Sequence, residues 1–482
     1  MTKKVKKVDG GMRVKADGFV EDILMWALLS VSFFLRLCLY VEHSPLWDGS
    51  VYVLMGKSIF SGGAAGLWEP YRPLLWPCML GFFWKLGGDP ILWGKVLQTL
   101  FSLGSIFLVY RIGAQVFNKR VGFLSAAFLS FSPTYFTWGN YLYTGIPSTF
   151  LGLVAVYLLL GNKRLLCGIF AGLAFMTRFL QLILFIPLLL AHIFRCRGKD
   201  GVFKLVRFLG GFLVIFAVFI VSNLIMYGDA FFPFATARKV LGAYSVLWYH
   251  GSWYYIVQLL TKENFCLVFY LLGIFFILKK DRNLKTFTIL LLGILFFLSI
   301  NTSRMQILRY VISALPYLYL VSAYALIEVY DHIKKYRAAA MAVYVLIASL
   351  AFFEYRQFRN ISFPERKLDV FQEYIEQNKD AIKGPIWVSN PTYLVYSDLK
   401  AAELIYYPVF NAERARALQE RLGEADLILL HGGDFPCAPQ GDTACLEQKG
   451  RLIDKIGEDF YAYRHATGPQ GQIFAGIFIR KD

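Results

Sequence analysis

The chain has 482 residues, 57% hydrophobic and 17% aromatic, with only 17% charged and a mean hydropathy of +0.50; this excludes a single soluble globule and indicates a polytopic membrane protein. Its formal charge of +17 does not indicate nucleic acid, because residues 1–355 hold 34 Lys and Arg against 15 Asp and Glu, whereas residues 356–482 hold 16 against 18. The whole excess lies in the apolar part, which reads as a membrane domain over residues 1–355 followed by a separate domain over residues 356–482.

In chain order, apolar stretches fall near 23–41, 91–110, 121–135, 144–160, 165–177, 179–194, 208–226, 264–278, 286–300, 311–330 and 338–354, which predicts about eleven transmembrane helices. The pair 165–177 and 179–194 reads either as a hairpin or as one broken helix. Lys3, Lys4, Lys6, Lys7, Arg13 and Lys15 precede the first span and keep the amino terminus cytoplasmic by the positive-inside rule. The even-numbered connections agree: Arg111, Lys119 and Arg120, then Lys163 and Arg164, then Arg195, Arg197, Lys199, Lys204 and Arg207, then Lys279, Lys280, Arg282 and Lys285, then Lys334, Lys335 and Arg337. An odd number of spans then puts the carboxyl-terminal domain outside, in a multi-pass protein of the cell membrane. The first apolar run is long and lacks a small-residue cleavage site, so it reads as a retained anchor.

Three longer pieces fall on the outer side: residues 42–90, residues 227–263, and everything after about 355. The first carries two short aromatic-rich stretches, Val51 to Phe60 and Pro73 to Leu86, expected as helices lying in the interface. The second carries Trp248, Tyr249, His250, Trp253, Tyr254 and Tyr255, which read as an aromatic belt or as faces for sugar stacking. The last alternates helix-like Leu368 to Asp380, strand-like Ile386 to Ser389 and Leu404 to Tyr407, helix-like Asn411 to Leu422 and strand-like Leu427 to His431, the pattern of a small α/β domain. Asn411 is a plausible N-cap and Gly423 a plausible stop. This domain has no Gly-rich phosphate loop or metal-ligand cluster, and no catalytic role is assigned to it.

Cys38, Cys78, Cys167, Cys196 and Cys266 lie in or beside apolar segments and read as core packing, whereas Cys437 and Cys445 share an outer loop where an oxidising compartment permits a disulfide. The first outer loop opens on Pro45-Leu46-Trp47-Asp48-Gly49-Ser50-Val51-Tyr52, placing one carboxylate at the rim of an apolar bundle. Asp48 reads either as a helix N-cap or as a general base, since a poorly solvated carboxylate takes a hydroxyl proton more readily than one in bulk water. Arg72, Arg178 and Arg309 sit at outer ends of predicted spans, where a bare cation is costly unless it snorkels or meets an anion. Arg36, inside the first span, reads as a buried structural pair or as a functional group. Lys85 is the kind of lysine an interfacial helix commonly carries.

In this order, the motifs resemble those of the GT-C superfamily of membrane glycosyltransferases, and most nearly the protein O-mannosyltransferase and aminoarabinose transferase families. The likeness rests on Asp48 to Phe60, Tyr71-Arg72-Pro73-Leu74-Leu75-Trp76-Pro77, Leu86-Gly87-Gly88, Ser132-Pro133, Thr177-Arg178, Gly228-Asp229-Ala230-Phe231-Phe232-Pro233, and Leu308-Arg309-Tyr310 with Pro316, spread over residues 20–330. It implies a GT-C-like helical bundle and inverting transfer of a sugar from a polyprenyl-phosphate donor to a hydroxyl of a glycan, lipid or protein on the extracytoplasmic side. Asp48 would be the catalytic base, with Arg72, Arg178, Arg309, Glu69 and Tyr52 contacting substrate; no metal or cofactor is expected.

The chain departs from the family in one respect: the first outer loop of the family often has two adjacent acids, and here Asp48 is followed by Gly49, leaving Glu69 either as the second acid or as a partner of Arg72. The competing class is a transporter or flippase for lipid-linked saccharides. It is disfavoured because the predicted spans carry almost no acids beyond Glu328 and Glu354 at their ends, and no repeated halves. A polymerase or ligase of lipid-linked glycans would need the outer arginines but not a base in the first loop.

Overall fold

The computed structural model describes residues 6–38, 45–194, 198–359, 369–467 and 473–481. Lys3, Lys4, Arg195, Arg197 and Cys196, the outer end of the first predicted span and Leu368 lie outside them. The chain is mostly helical and ends in a small mixed sheet. Helix α1 (Lys6–Cys38) leads to two short helices, α2 (Trp47–Ser61) and α3 (Leu75–Lys85), and then to α4 (Pro90–Val116), α5 (Lys119–Phe131), α6 (Pro133–Gly139), α7 (Gly145–Leu160), α8 (Arg164–Thr177) and α9 (Phe185–Ile193). The bundle continues through α10 (Gly198–Tyr227), α11 (Phe232–Ala243), the short turns α12 (Ser245–Trp248) and α13 (Tyr254–Gln258), α14 (Phe269–Lys279), α15 (Leu284–Asn301), α16 (Leu315–Ile333) and α17 (Arg337–Arg359).

Among the described residues three helices, α4, α10 and α15, are long and apolar enough to cross a membrane. The expected count of about eleven is not confirmed by this criterion of length; α7, α8 and α14 are apolar but shorter. The stretch 165–194 is a hairpin. Arg178 breaks it with an extended backbone, a 3-10 turn (Phe179–Leu184) starts the return, and Arg164 at the start of α8 comes within 3.4 Å of His192 near the end of α9.

At one end of the bundle the basic connections meet acids: Lys119 pairs with Asp22 at 2.5 Å, Arg120 with Asp331 at 2.9 Å and Lys280 with Glu328 at 2.6 Å. Arg36 is buried without a carboxylate partner among the described residues; it donates to Ser32 and to Ser102 and lies over the Phe136 ring. The outer piece 227–263 also holds a buried acid that the sequence reading did not single out, just before the predicted span 264–278. Glu263 is fully buried and accepts from Ser132, from the Thr134 amide and from Tyr319, which satisfies the amino end of α6. Cys167 and Cys266 are buried as expected, but Cys38 is exposed.

The carboxyl-terminal domain contains α18 (Val370–Asn378), α19 (Ala412–Glu420) and α20 (Thr443–Asp459) around five strands, β1 (Ile386–Val388), β2 (Ala401–Leu404), β3 (Leu427–His431), β4 (Phe460–Thr467) and β5 (Ile473–Arg480), in the order β2-β1-β3-β5-β4. β1 runs parallel to β2 and β3, whereas β5 is antiparallel to β3 and β4. Asn411 caps α19 through the Arg414 amide as expected, and Asp369 closes a capping box with Gln372 on α18. β2 begins three residues before the predicted strand, and the 3-10 turn Leu422–Glu424, rather than Gly423 alone, ends the α19 region. Cys437 and Cys445 are joined in a disulfide.

Helix α2 is not an anchor lying on a lipid surface. Val51, Leu54 and Met55 share a core with Trp387, Leu394 and Phe410 of the carboxyl-terminal domain, while Tyr52 and Val53 pack with Trp76, Leu80 and Leu142 of the bundle. Gly56 crosses α3 so closely that a Cβ would lie 2.6 Å from the Pro77 carbonyl oxygen and 2.7 Å from the Gly81 nitrogen. At Gly66, with φ +75°, the amide donates to Leu399 and the carbonyl accepts from Ala401, tying the first outer loop to the edge of β2.

Candidate active site

Sequence-distant segments converge on one cavity of about 330 Å³, among them the start of α2, the loop before α3, the break at Arg178 and the 3-10 turn Leu308–Ser313. Asp48, Tyr52, Arg72, Arg178 and Arg309 all line it, together with Tyr71, Trp138, Tyr143, Met305 and Tyr310. The volume lies in the range of small-molecule sites, and the lining is apolar and aromatic with a few convergent charges.

Asp48 occupies the first turn of α2 but does not cap it; Leu46 is the N-cap residue and no side chain serves there. Its carboxylate instead accepts from Arg72 Nη2 on Oδ1 at 2.8 Å and pairs with Arg309 Nη2 on Oδ2 at 2.6 Å. The three side chains are 15%, 12% and 17% exposed. Burial pushes the Asp48 carboxyl up, but Arg72 and Arg309 outweigh it and hold the group well below the usual carboxylate range. Asp48 is therefore an ionised acceptor.

Glu69 does not line the cavity. It is fully buried behind Arg72, accepting from Arg72 Nε on Oε2 at 2.8 Å and from the Tyr406 hydroxyl on Oε1 at 2.7 Å. A substrate contact is thereby closed to it, and of the two sequence readings it takes the one as partner of Arg72. Arg72 lies over the rings of Tyr52 and Tyr71, and Arg309 over Tyr143 and Tyr310.

Arg178 differs from the other two cations. Among the described residues no carboxylate pairs with it; its guanidinium lies 4.9 Å from the Tyr310 ring centre, on a ring that Arg309 also approaches at 5.6 Å. Helix α7 begins beside it with no side-chain cap, and Thr144, Gly145 and Ile146 lie in the cavity wall, so the positive end of that helix adds to the field. A Cβ at Gly145 would stand 3.1 Å from Ile312 and 3.4 Å from Arg178 Nη1, so glycine leaves room for the guanidinium.

The aromatic run at 248–255 does not line the cavity. Trp248, Tyr249 and Trp253 are exposed, and the buried Tyr255 hydroxyl bonds to the Ile307 backbone. The cavity aromatics come from elsewhere, and Trp138 and Tyr143 carried no sequence signal. The motif Gly228 to Pro233 is not in the wall either; Ala237 and Leu241 of the following helix are. Lys85 is exposed and away from the site.

Residues 71–225 match the model of the dolichyl-phosphate-mannose-protein mannosyltransferase family. No curated protein matches the sequence significantly. Among solved structures, the chain is similar to ArnT from Cupriavidus metallidurans bound to undecaprenyl phosphate, at 12% identity and a TM-score of 0.60 over 96% of this chain and 98% of that one. It is similar also to the archaeal oligosaccharyltransferase AglB from Archaeoglobus fulgidus, solved with an inhibitory peptide and a dolichol-phosphate, at 12% identity and a TM-score of 0.58 over 95% and 74%. A mutant form of the arabinofuranosyltransferase AftD from mycobacteria shares the fold at 11% identity and a TM-score of 0.55, over 95% of this chain and 41% of that one. The chain thus shares the fold of these membrane glycosyltransferases, and residues 71–225 match the mannosyltransferase family model.

Proposed function

We propose that the chain transfers a sugar from a polyprenyl-phosphate donor to an acceptor hydroxyl on the extracytoplasmic side of the membrane, by a single inverting displacement with Asp48 as general base. The observation that carries this reading is the meeting of one ionised carboxylate and three guanidinium groups in a single aromatic cavity, one of them, Arg178, without an acidic partner among the described residues. ArnT was solved with undecaprenyl phosphate and AglB with a dolichol-phosphate, which supports a lipid-phosphate donor here.

In the proposed step the acceptor oxygen attacks the anomeric carbon as the bond from that carbon to the phosphate oxygen breaks. The bonding pair leaves with the phosphate, and the hydroxyl proton passes to Asp48. Negative charge therefore grows on the phosphate, where Arg178 and Arg309 stabilise it in a poorly solvated site. A phosphate seated between these two also draws Arg309 away from Asp48, which restores basicity to the carboxylate as the acceptor arrives. Tyr52 and the ring faces of Trp138 and Tyr143 offer packing for the sugar. No cofactor takes part; the lipid-phosphate sugar is itself a substrate.

The sidedness is proposed on two grounds. The basic connections mark the cytoplasmic end. The Cys437–Cys445 disulfide fits an oxidising compartment for the domain that follows residue 355. The test is to incubate the purified full-length protein with a panel of radiolabelled polyprenyl-phosphate sugars and extracted cell-envelope acceptors. Transfer of label from at least one donor is expected; release of none from the whole panel would refute the reading.

A further inference from the structure

The carboxyl-terminal domain reaches the proposed base through one hydroxyl. Tyr406, which follows β2, donates to Glu69 Oε1 at 2.7 Å; Glu69 Oε2 accepts from Arg72 Nε at 2.8 Å; and Arg72 Nη2 donates to Asp48 Oδ1 at 2.8 Å. Glu69 is fully buried, and among the described residues each of its oxygens has one donor, so removing the Tyr406 hydroxyl leaves a buried carboxylate oxygen unsatisfied. Tyr406 is not in the cavity wall and cannot touch substrate. Its ring is fixed edge-on against Trp47, the residue before Asp48, with centroids 4.6 Å apart, while the neighbouring Tyr407 stacks on Tyr71, the residue before Arg72, at 5.9 Å. The residues preceding Asp48 and Arg72 are thus both held by this pair of tyrosines. Nearby, Lys57 of α2 donates to the carbonyls of Val395 and Ser397, so the docking that places Tyr406 is reinforced from the first outer loop.

We infer that Tyr406 is a positioning residue: acting through Glu69 and Arg72, it sets the orientation of Asp48, so that the site is complete only when the carboxyl-terminal domain is docked. This inference rests on the proposed role of Asp48. A guanidinium held at Nε by a fixed carboxylate presents its Nη2 in one direction, whereas one held only by Asp48 can turn with it toward the donor phosphate.

The test is steady-state transfer by the full-length chain carrying Tyr406→Phe, Glu69→Gln or both, with Tyr461→Phe, an exposed tyrosine of the same domain, as control. Tyr406→Phe is expected to lower kcat by about tenfold, the effect of one hydrogen bond to a charged group, with the donor KM within about twofold. The double variant is expected to be no slower than Glu69→Gln, because the two act along one path. Wild-type kcat in Tyr406→Phe, or losses that multiply in the double variant, would overturn the inference. Should Tyr406→Phe fail to accumulate, wild-type kcat in Glu69→Gln alone would do so. An unaltered protein that transfers no sugar from any polyprenyl phosphate removes the proposed function and this inference together; an active protein indifferent to Tyr406→Phe removes the inference alone.

Discussion

Both oxygens of the Asp48 carboxylate are taken by guanidinium groups, and this governs its titration. Its pKa in the folded chain is lowered, so the ion pairs contribute stability above the ordinary aspartate value, and that contribution is lost only as pH falls through the lowered value. The acid side of a kcat/KM profile is therefore expected to stay flat down through about 3.9, the ordinary aspartate value, with respect to this group; an acid limb near 6 that disappears in Asp48→Asn would contradict it. Arg178→Ala is expected to weaken binding of a polyprenyl phosphate by about 10- to 100-fold, the range for a hydrogen-bonded charge pair, as read by titration of the purified protein. Asp48 and the three arginines were legible in the sequence because a charge at the end of an apolar run is costly and calls for a reason. Tyr406, Trp138 and Tyr143 were not, since single aromatics in a chain with 29 tyrosines and 10 tryptophans carry no signal until the fold brings them together.

Helix α2 presents the proposed base because it is wedged between two cores, and its crossing with α3 depends on glycine. Gly56→Ala is expected to destabilise the protein by about 1–3 kcal/mol, since the added methyl meets backbone rather than a flexible side chain; chemical denaturation in detergent reads this, and an unchanged midpoint would contradict the crossing. Elements with strong periodicity or a clear cap were readable: α19 follows Asn411, and β3 spans Leu427 to His431 as its apolar run indicates. The β4 strand was missed because most of its residues are exposed at the sheet edge, and α20 because its buried positions, Cys445, Leu452 and Ile456, are sparse. The expected count of about eleven membrane helices is not confirmed by length among the described residues, because the bundle uses short helices and 3-10 breaks such as the one at Arg178, which regular hydropathy windows do not resolve.

At the scale of the whole molecule, the carboxyl-terminal domain covers α2 rather than hanging from the bundle as an accessory. Deleting it would expose Val51, Leu54, Met55 and Leu67 and remove Tyr406. A chain ended after residue 359 is thus expected to lose both solubility in mild detergent and transfer activity, as judged by size-exclusion chromatography and label transfer; a monodisperse, fully active truncation would contradict this. The charge and periodicity of the tail pointed to a small α/β unit, but not to the core it shares with the first outer loop, because that contact joins residues more than 300 positions apart. The most direct measurement of the central claim compares label transfer from a polyprenyl-phosphate sugar by the purified chain and by Asp48→Asn, with binding of the polyprenyl phosphate measured on both. Binding is expected to persist while kcat falls by about 10²- to 10⁴-fold, the contribution of a positioned general base; undiminished transfer by Asp48→Asn would contradict the assignment.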